Sequence, residues 1–271
     1  MKPWSNRRLL ALFLLALLLF IPLRWDATAW LEMQTQNIRE QLPFPMKGGA
    51  LTWSVKGLTI EHITLILPPP AEPLLFNQLT LSPVWAKWLQ GTRAMDVSLS
   101  SVPINGQTEI VIGDAYIQLS AMQWTLAVPW LQAQWPVLIP VGIALQGMLE
   151  ATGDIRFDSQ ETLPQPIAGT VNLTWKTAGI QLGESVTSLG DYQLLIQDEM
   201  PASWQLQLDG GELLKLQGQA TLQSQNMPWL QWPLQGQIEM IAAPNSPLSA
   251  LLGSKKSITL SGTLQDPQWR M

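Results

Sequence analysis

The amino-acid sequence predicts a mainly β protein: an N-terminal transmembrane helix, then a curved antiparallel β-sheet with a few short helices. Three observations carry that expectation. Apolar and polar residues alternate with period two along much of the chain, as Trp204, Leu206 and Leu208 do against Gln205 and Gln207, the pattern of strands with one buried face. A charge-free run fills Leu9 to Leu23 behind Lys2, Arg7 and Arg8. Beyond it, patterns of helical period are few and short.

Composition sets the limits within which these elements are read. The 271 residues are 46% apolar, enough for one or two folded domains and too many for a disordered chain. Charged residues make up 13%, against roughly 25% in ordinary soluble domains. A net charge of −5 gives no basic surface for nucleic acid, so no nucleic-acid partner is expected. The absence of cysteine excludes disulfides and thiol chemistry. Most of the fourteen tryptophans are expected to pack in a core, whereas Trp25 and Trp30, next to the apolar run, suit a membrane interface.

Taken in order, residues 1–8 form a basic tip, 9–29 a membrane anchor, 30–42 a helical stalk and 43–271 a β domain. The anchor is short of the roughly 20 residues that span a bilayer. The stems of Arg8 and Arg24 snorkelling to the interfaces would lengthen it, with the basic N-terminus in the cytoplasm. The competing reading is a cleaved signal peptide with Ala27-Thr28-Ala29 at the cleavage site. Either way the rest of the chain is exported. Trp30, Met33 or Gln34, Ile38 and Leu42 fall at helical spacing before Pro43 and Pro45, as a stalk or as a helix docked on the sheet.

From Lys47 the period changes. Leu51, Trp53 and Val55 share one face and Ile63, Leu65 and Leu67 another, with Leu58 and Ile60 out of phase, which predicts a curved strand with a bulge near Gly57 or Glu61. Further alternation at Leu75–Leu81, Met95–Leu99, Ile110–Leu119, Ile155–Phe157, Val171–Trp175, Tyr192–Ile196, Ile238–Met240 and Ile258–Leu264 predicts an antiparallel meander. Asp209-Gly210-Gly211 marks a hairpin. Keeping its faces unmixed calls for a loop of three or five residues with a glycine at positive φ, placing Leu208 opposite Leu214, Leu206 opposite Leu216 and Trp204 over Gly218.

Two short helices are expected where Ser82, Pro83 and Gly91, and then Ser246, Pro247 and Gly253, stand as cap, first turn and terminator. Pro68 to Pro70, Trp130 to Pro140 and Pro164 to Pro166 read as connections, because proline cannot donate into a ladder. The middle one divides the β domain into two possible halves meeting near 130–146.

No catalytic, metal or cofactor site is expected. His62, the single histidine, sits in phase with a polar strand face, and no nucleophile motif accompanies it. Asp154 with Asp158, or Asp198 with Glu199, could act together only if folding paired them. Gly48-Gly49 and Gly210-Gly211 lack the lysine and the strand-to-helix context of a phosphate loop. Enzymatic activity is not expected.

The basic-then-leucine N-terminus, KGGALTWSVKGLTIEHITLIL, LLFNQLTLSPVWAKWLQGTRAMDVSLS and the later strands GTVNLTW, GQIEM and SGTL together resemble the general secretion pathway protein N family of type II secretion systems. More distantly the layout is similar to AsmA-like envelope proteins, whose strands form a half-barrel or groove. The resemblance implies a single-pass inner-membrane protein with a periplasmic C-terminal domain. Its role would be that of a non-enzymatic accessory in export of folded proteins across the outer membrane. The implied partners are other type II secretion components, either the inner-membrane platform or the secretin, and the membrane itself. A different class of function is lipid binding or transfer in an apolar groove, decided by whether the two short helices seal the apolar face. A third, carbohydrate binding, would use Trp229 and Trp232 or Trp130 and Trp135.

Overall fold

The computed structural model describes residues 46–54, 57–65, 73–134, 143–159, 165–182, 184–200, 203–225, 227–244, 249 and 255–270. The first six strands are β1 (Met46–Ser54), β2 (Gly57–Leu65), β3 (Leu74–Pro83), β4 (Arg93–Ser100), β5 (Ile104–Ile112) and β6 (Tyr116–Ala127). Three long strands follow, β7 (Ile143–Asp158), β8 (Gln165–Leu182) and β9 (Ser185–Met200). The last five are β10 (Ser203–Gly210), β11 (Leu214–Gln223), β12 (Leu234–Ala242), β13 (Lys255–Gly262) and β14 (Pro267–Arg270). Among the described residues these make one open 14-stranded sheet in which each strand is hydrogen-bonded to its neighbours in sequence, and every pairing is antiparallel. This is the meander that the alternation predicts.

A meander gives the sheet two ends. Met46 starts β1 at the end that also holds the connections β2–β3, β4–β5, β6–β7, β8–β9, β10–β11 and β12–β13. The other end holds the remaining connections, including helix α1 (Trp85–Leu89) between β3 and β4. Helix α2 (Val128–Gln134) lies between β6 and β7, and those two strands pair directly, so the sheet is unbroken across 130–146.

Several expectations are corrected. The segment expected as one bulged strand is a hairpin, with Ser54 opposite Gly57 and the same offset kept to Met46↔Leu65, interrupted beside Glu61 where Gly49 and His62 have positive φ and are not paired. The phase change at Leu58 is therefore a turn, not a bulge. Ile110–Leu119 likewise spans the turn from β5 to β6. In the first expected helix Pro83 ends β3, and Val84 rather than Ser82 is the N-cap, with no side-chain hydrogen bond; Gly91 does follow the helix at φ 83°. Trp130 to Gln134, expected as a connection, is helical. Pro166 lies inside β8 opposite Phe157, where the register shifts between Arg156 and Phe157, an irregularity of the kind that admits proline into a sheet. The anchor, the stalk, Pro68 to Pro70 and the second expected helix at Ser246, Pro247 and Gly253 lie outside the described residues. Among the described residues no helix is long and apolar enough to cross a membrane.

The hairpin after Asp209 has a five-residue loop, one of the two expected lengths, between the paired Gly210 and Leu216, and both glycines have positive φ. Its register is displaced by four residues: Leu208 faces Gly218 and Trp204 faces Leu222. Strand β9 explains the displacement, because it extends past β10 and binds the loop. The N–H of Gly211 donates to the carbonyl of Asp191 at 2.7 Å and that of Glu212 to Leu189 at 2.6 Å. An even displacement keeps every side chain on its face.

Packing concentrates where aromatic side chains meet. Trp204, Ala220, Leu222, Trp232, Leu234 and Leu260 form one buried cluster, joined by the partly buried Ile155 of β7. A second cluster gathers Ala178, Leu189 and Tyr192, with Trp175 against it.

Candidate functional site

The two faces of the sheet are the features that the fold builds from distant residues. Directly paired residues of antiparallel strands point to the same face, so a row can be followed from strand to strand. One polar row begins with Thr52, Thr59, Thr80, Ser98, Gln107, Gln123 and Thr152 on β1 to β7. It continues through Asn172, Leu195, Gln207, Gln219, Gln237, Thr259 and Arg270 on β8 to β14. Leu195 is the one apolar member and Arg270 the one charged member.

Glutamines on this face bind one another and their polar neighbours. Gln107 Nε2 donates to Gln123 Oε1 at 3.2 Å, Gln197 Nε2 to Gln205 Oε1 at 3.2 Å and Gln207 Nε2 to the same oxygen at 2.8 Å. Gln217 Nε2 donates to Asp209 at 2.9 Å and Gln237 Nε2 to Ser257 Oγ at 2.6 Å. An amide both donates and accepts, which lets glutamine on one strand bind glutamine on the next without the repulsion that like charges would bring. A hollow of about 620 Å³ lies along this face, bordered by Gln78, Ser98, Asn105, Gln123, Glu150 and Thr152 among others.

The opposite face carries an apolar row one residue along: Leu51, Ile60, Leu79, Leu99, Gly106 and Trp124 on β1 to β6, then Ala151, Leu173, Leu194, Leu208, Gly218, Ile238 and Ile258 on β7 to β13. Only Ile60 in this row is fully buried; the others are half-buried. Helix α1 has no buried residue, and its Trp85 and Trp88 are exposed, so α1 does not seal the face. A small hollow of about 170 Å³ opens on this side between Leu194, Leu206, Leu208, Ala220, Ile238 and Leu260. At Gly106 an added Cβ would lie 2.7 Å from ring atoms of Trp124 and 2.6 Å from the carbonyl of Gln123. An indole covering a strand glycine, expected of Trp204 and Gly218, is thus found between Trp124 and Gly106.

Two of the aspartates considered for chemistry have structural partners. His62 is exposed, with φ 56°. Asp154 accepts the N–H of Ala121 at 2.8 Å and Asp198 that of Gly169 at 3.0 Å, and Asp191, which sequence reasoning passed over, accepts that of Thr177 at 2.7 Å. Ala121 and Thr177 have positive φ and stand where the register shifts, so their N–H groups leave the ladder and a carboxylate takes them. The signal that could have found two of these is the Gly-Asp pair, Gly153-Asp154 and Gly190-Asp191. Among the described residues no three His, Cys, Asp or Glu side chains are grouped to hold a metal.

Gly48-Gly49 lies within the edge strand β1, and Gly210-Gly211 turns a hairpin; neither leads into a helix. Trp232 is buried with its Nε1 donating to the carbonyl of Met227 at 3.1 Å, so it is core and not a sugar platform with Trp229. Trp130 is half-buried on α2, and Trp135 lies outside the described residues. Tyr192 donates its hydroxyl to the Leu214 carbonyl at 2.7 Å, and burial raises its pKa to about 12. No family model, curated protein or solved structure matches the chain.

Proposed function

We propose that the chain is a non-enzymatic, inner-membrane-anchored periplasmic accessory of a type II secretion system, supporting export of folded proteins across the outer membrane. The observation that carries the reading is the open meander with two edge strands. Among the described residues β1 and β14 each bond one neighbour only, and an unpaired edge accepts a strand from another protein. Strand β14 is four residues long and starts with Pro267, which suits a closed edge; the nine residues of β1 suit an open one. The sequence resemblance supplies the pathway. Its partners are the inner-membrane platform or the secretin, and the membrane through the N-terminal helix.

A second reading, an AsmA-like half-barrel that binds or transfers lipid, is favoured by the half-buried apolar row over thirteen strands. Ile155 packs against the Trp204 cluster although β8 and β9 intervene, a distance of about 14 Å in a flat sheet, which supports a curl toward the apolar face. Alkyl chains laid there would gain about 0.8 kcal/mol per buried CH₂.

The test compares the secreted proteome and outer-membrane permeability of cells with and without the gene. Loss of secreted folded proteins with intact permeability supports the secretion accessory. Normal secretion with a leaky envelope moves the assignment to lipid. A form lacking β1 that still co-purifies with the secretion complex would count against edge docking.

A further inference from the structure

We infer that the Met46 end of the sheet rests in the interfacial layer of a phospholipid bilayer, so that the β domain stands on the membrane instead of hanging free from a tether. The inference rests on the anchored reading above and adds a surface to it. Three large apolar side chains stand out at this end: Leu75, 64% exposed, at the start of β3; Val102, 91% exposed, in the β4–β5 turn; and Val186, 61% exposed, at the start of β9. They stand at or beside three separate connections between β3 and β9, so what they share is the Met46 end of the sheet, which a flat surface can meet at several points. The described connections Ser101–Pro103 and Val128–Gln134 at this end carry no charge.

Two further facts identify the occupant as a bilayer. Residues 1–45, which contain the charge-free run Leu9 to Leu23, join the sheet at this end through Met46. Basic residues lie here too, the adjacent Lys255 and Lys256 at the start of β13, and an anionic headgroup layer attracts them, Lys255 less so because it pairs with Glu239 at 2.8 Å. Acidic Glu184 and Glu212 also lie here, so the attraction is partial and the apolar contacts carry the rest.

The opposite end exposes more apolar groups, Trp85, Trp88 and Leu89 on α1 together with Ile112, Ile167 and Trp229. The ten residues of β3 set α1 about 30 Å from the Leu75 end. A flat bilayer surface facing one end of upright strands cannot touch the other. The far end therefore serves as the internal control.

The experiment uses the full chain, which has no native cysteine, with single substitutions Val102→Cys or Val186→Cys at the near end and Asp114→Cys or Leu89→Cys at the far end. Each is labelled with an environment-sensitive fluorophore and reconstituted in vesicles of phosphatidylethanolamine and phosphatidylglycerol containing a lipid-borne quencher. The expected result is several-fold stronger quenching at 102 and 186 than at 114 and 89. Protein that floats with the vesicles while 102 and 186 stay as wet as 114 overturns the inference and leaves the anchor standing, as does shielding of 89 with 102 wet. Protein that does not float overturns both.

Discussion

The carboxylate of Asp154 on β7 holds the backbone N–H of Ala121 on β6 at 2.8 Å, at a point where the ladder between those strands slips. Asp191 does the same for Thr177, and Asp198 binds the N–H of Gly169. An irregularity that frees a backbone donor would otherwise leave it to water, and each carboxylate fixes the local shape. Asp154→Ala and Asp191→Ala should each cost about 1–2 kcal/mol, read as a lower urea midpoint with unchanged slope. The Asn variants keep an acceptor and should lose far less. Equal midpoints for Ala and wild type would mean that water replaces the carboxylate.

Tyr192 should make the fold sensitive to alkali. Burial raises its pKa to about 12, so the folded state holds the neutral ring. Its contribution is complete below about pH 10, the unfolded value, and is lost as pH rises toward 12. In a Tyr116→Phe background, which leaves Tyr192 as the only tyrosine, phenolate absorbance should appear late and together with unfolding. Tyr192→Phe should remove that step, at a cost of about 1 kcal/mol at neutral pH for the lost bond to Leu214. Phenolate forming near pH 10 in the folded protein would contradict this.

Gly106→Ala should destabilise by about 1–3 kcal/mol, because the new methyl would meet the Trp124 ring and the Gln123 carbonyl well inside contact distance. Trp124→Leu in the same chain should recover part of the loss, and a double-mutant cycle in thermal unfolding measures it. Strict additivity would show that the ring does not press on the glycine.

Trp229 and Trp232 are three residues apart and should differ sharply. Trp232→Ala empties a site with 1% exposure and should cost about 3–5 kcal/mol. Trp229→Ala, at 38% exposure, should cost under about 1 kcal/mol. Chemical denaturation of the two variants checks it; similar losses would place both rings in the core.

Period-two alternation was enough to read the meander, because half-buried strands write their faces directly into the sequence, as Gln205 and Gln207 do beside Leu206 and Leu208. The first half of β7, Ile143 to Glu150, was not legible: its Ala, Leu, Gln, Met and Glu favour a helix, and pairing with β6 and β8 overrides that preference. The irregularities at Ala121 and Thr177 were hidden for another reason. Their defining partners, Asp154 and Asp191, lie on other strands, 33 and 14 residues away, where no local pattern reaches. The register of the hairpin after Asp209 depended likewise on β9, whereas its loop length followed from local phase. The polar and apolar rows were each visible as fragments, but their continuity across the sheet emerges only once every register is known.

Because, among the described residues, each strand forms its backbone ladders with the strands made just before and just after it, the sheet can be laid down in the order in which the chain appears. A segment emerging N-terminus first finds its partner already present and waits for nothing distant, so loop closure costs little at each step. At every moment of that growth there is a single advancing frontier, the strand most recently added. The same geometry makes dismantling directional. Shortening the chain from its C-terminus removes strands one by one, each loss leaving the remaining ladders intact, as in arrays whose stability is a sum over neighbours.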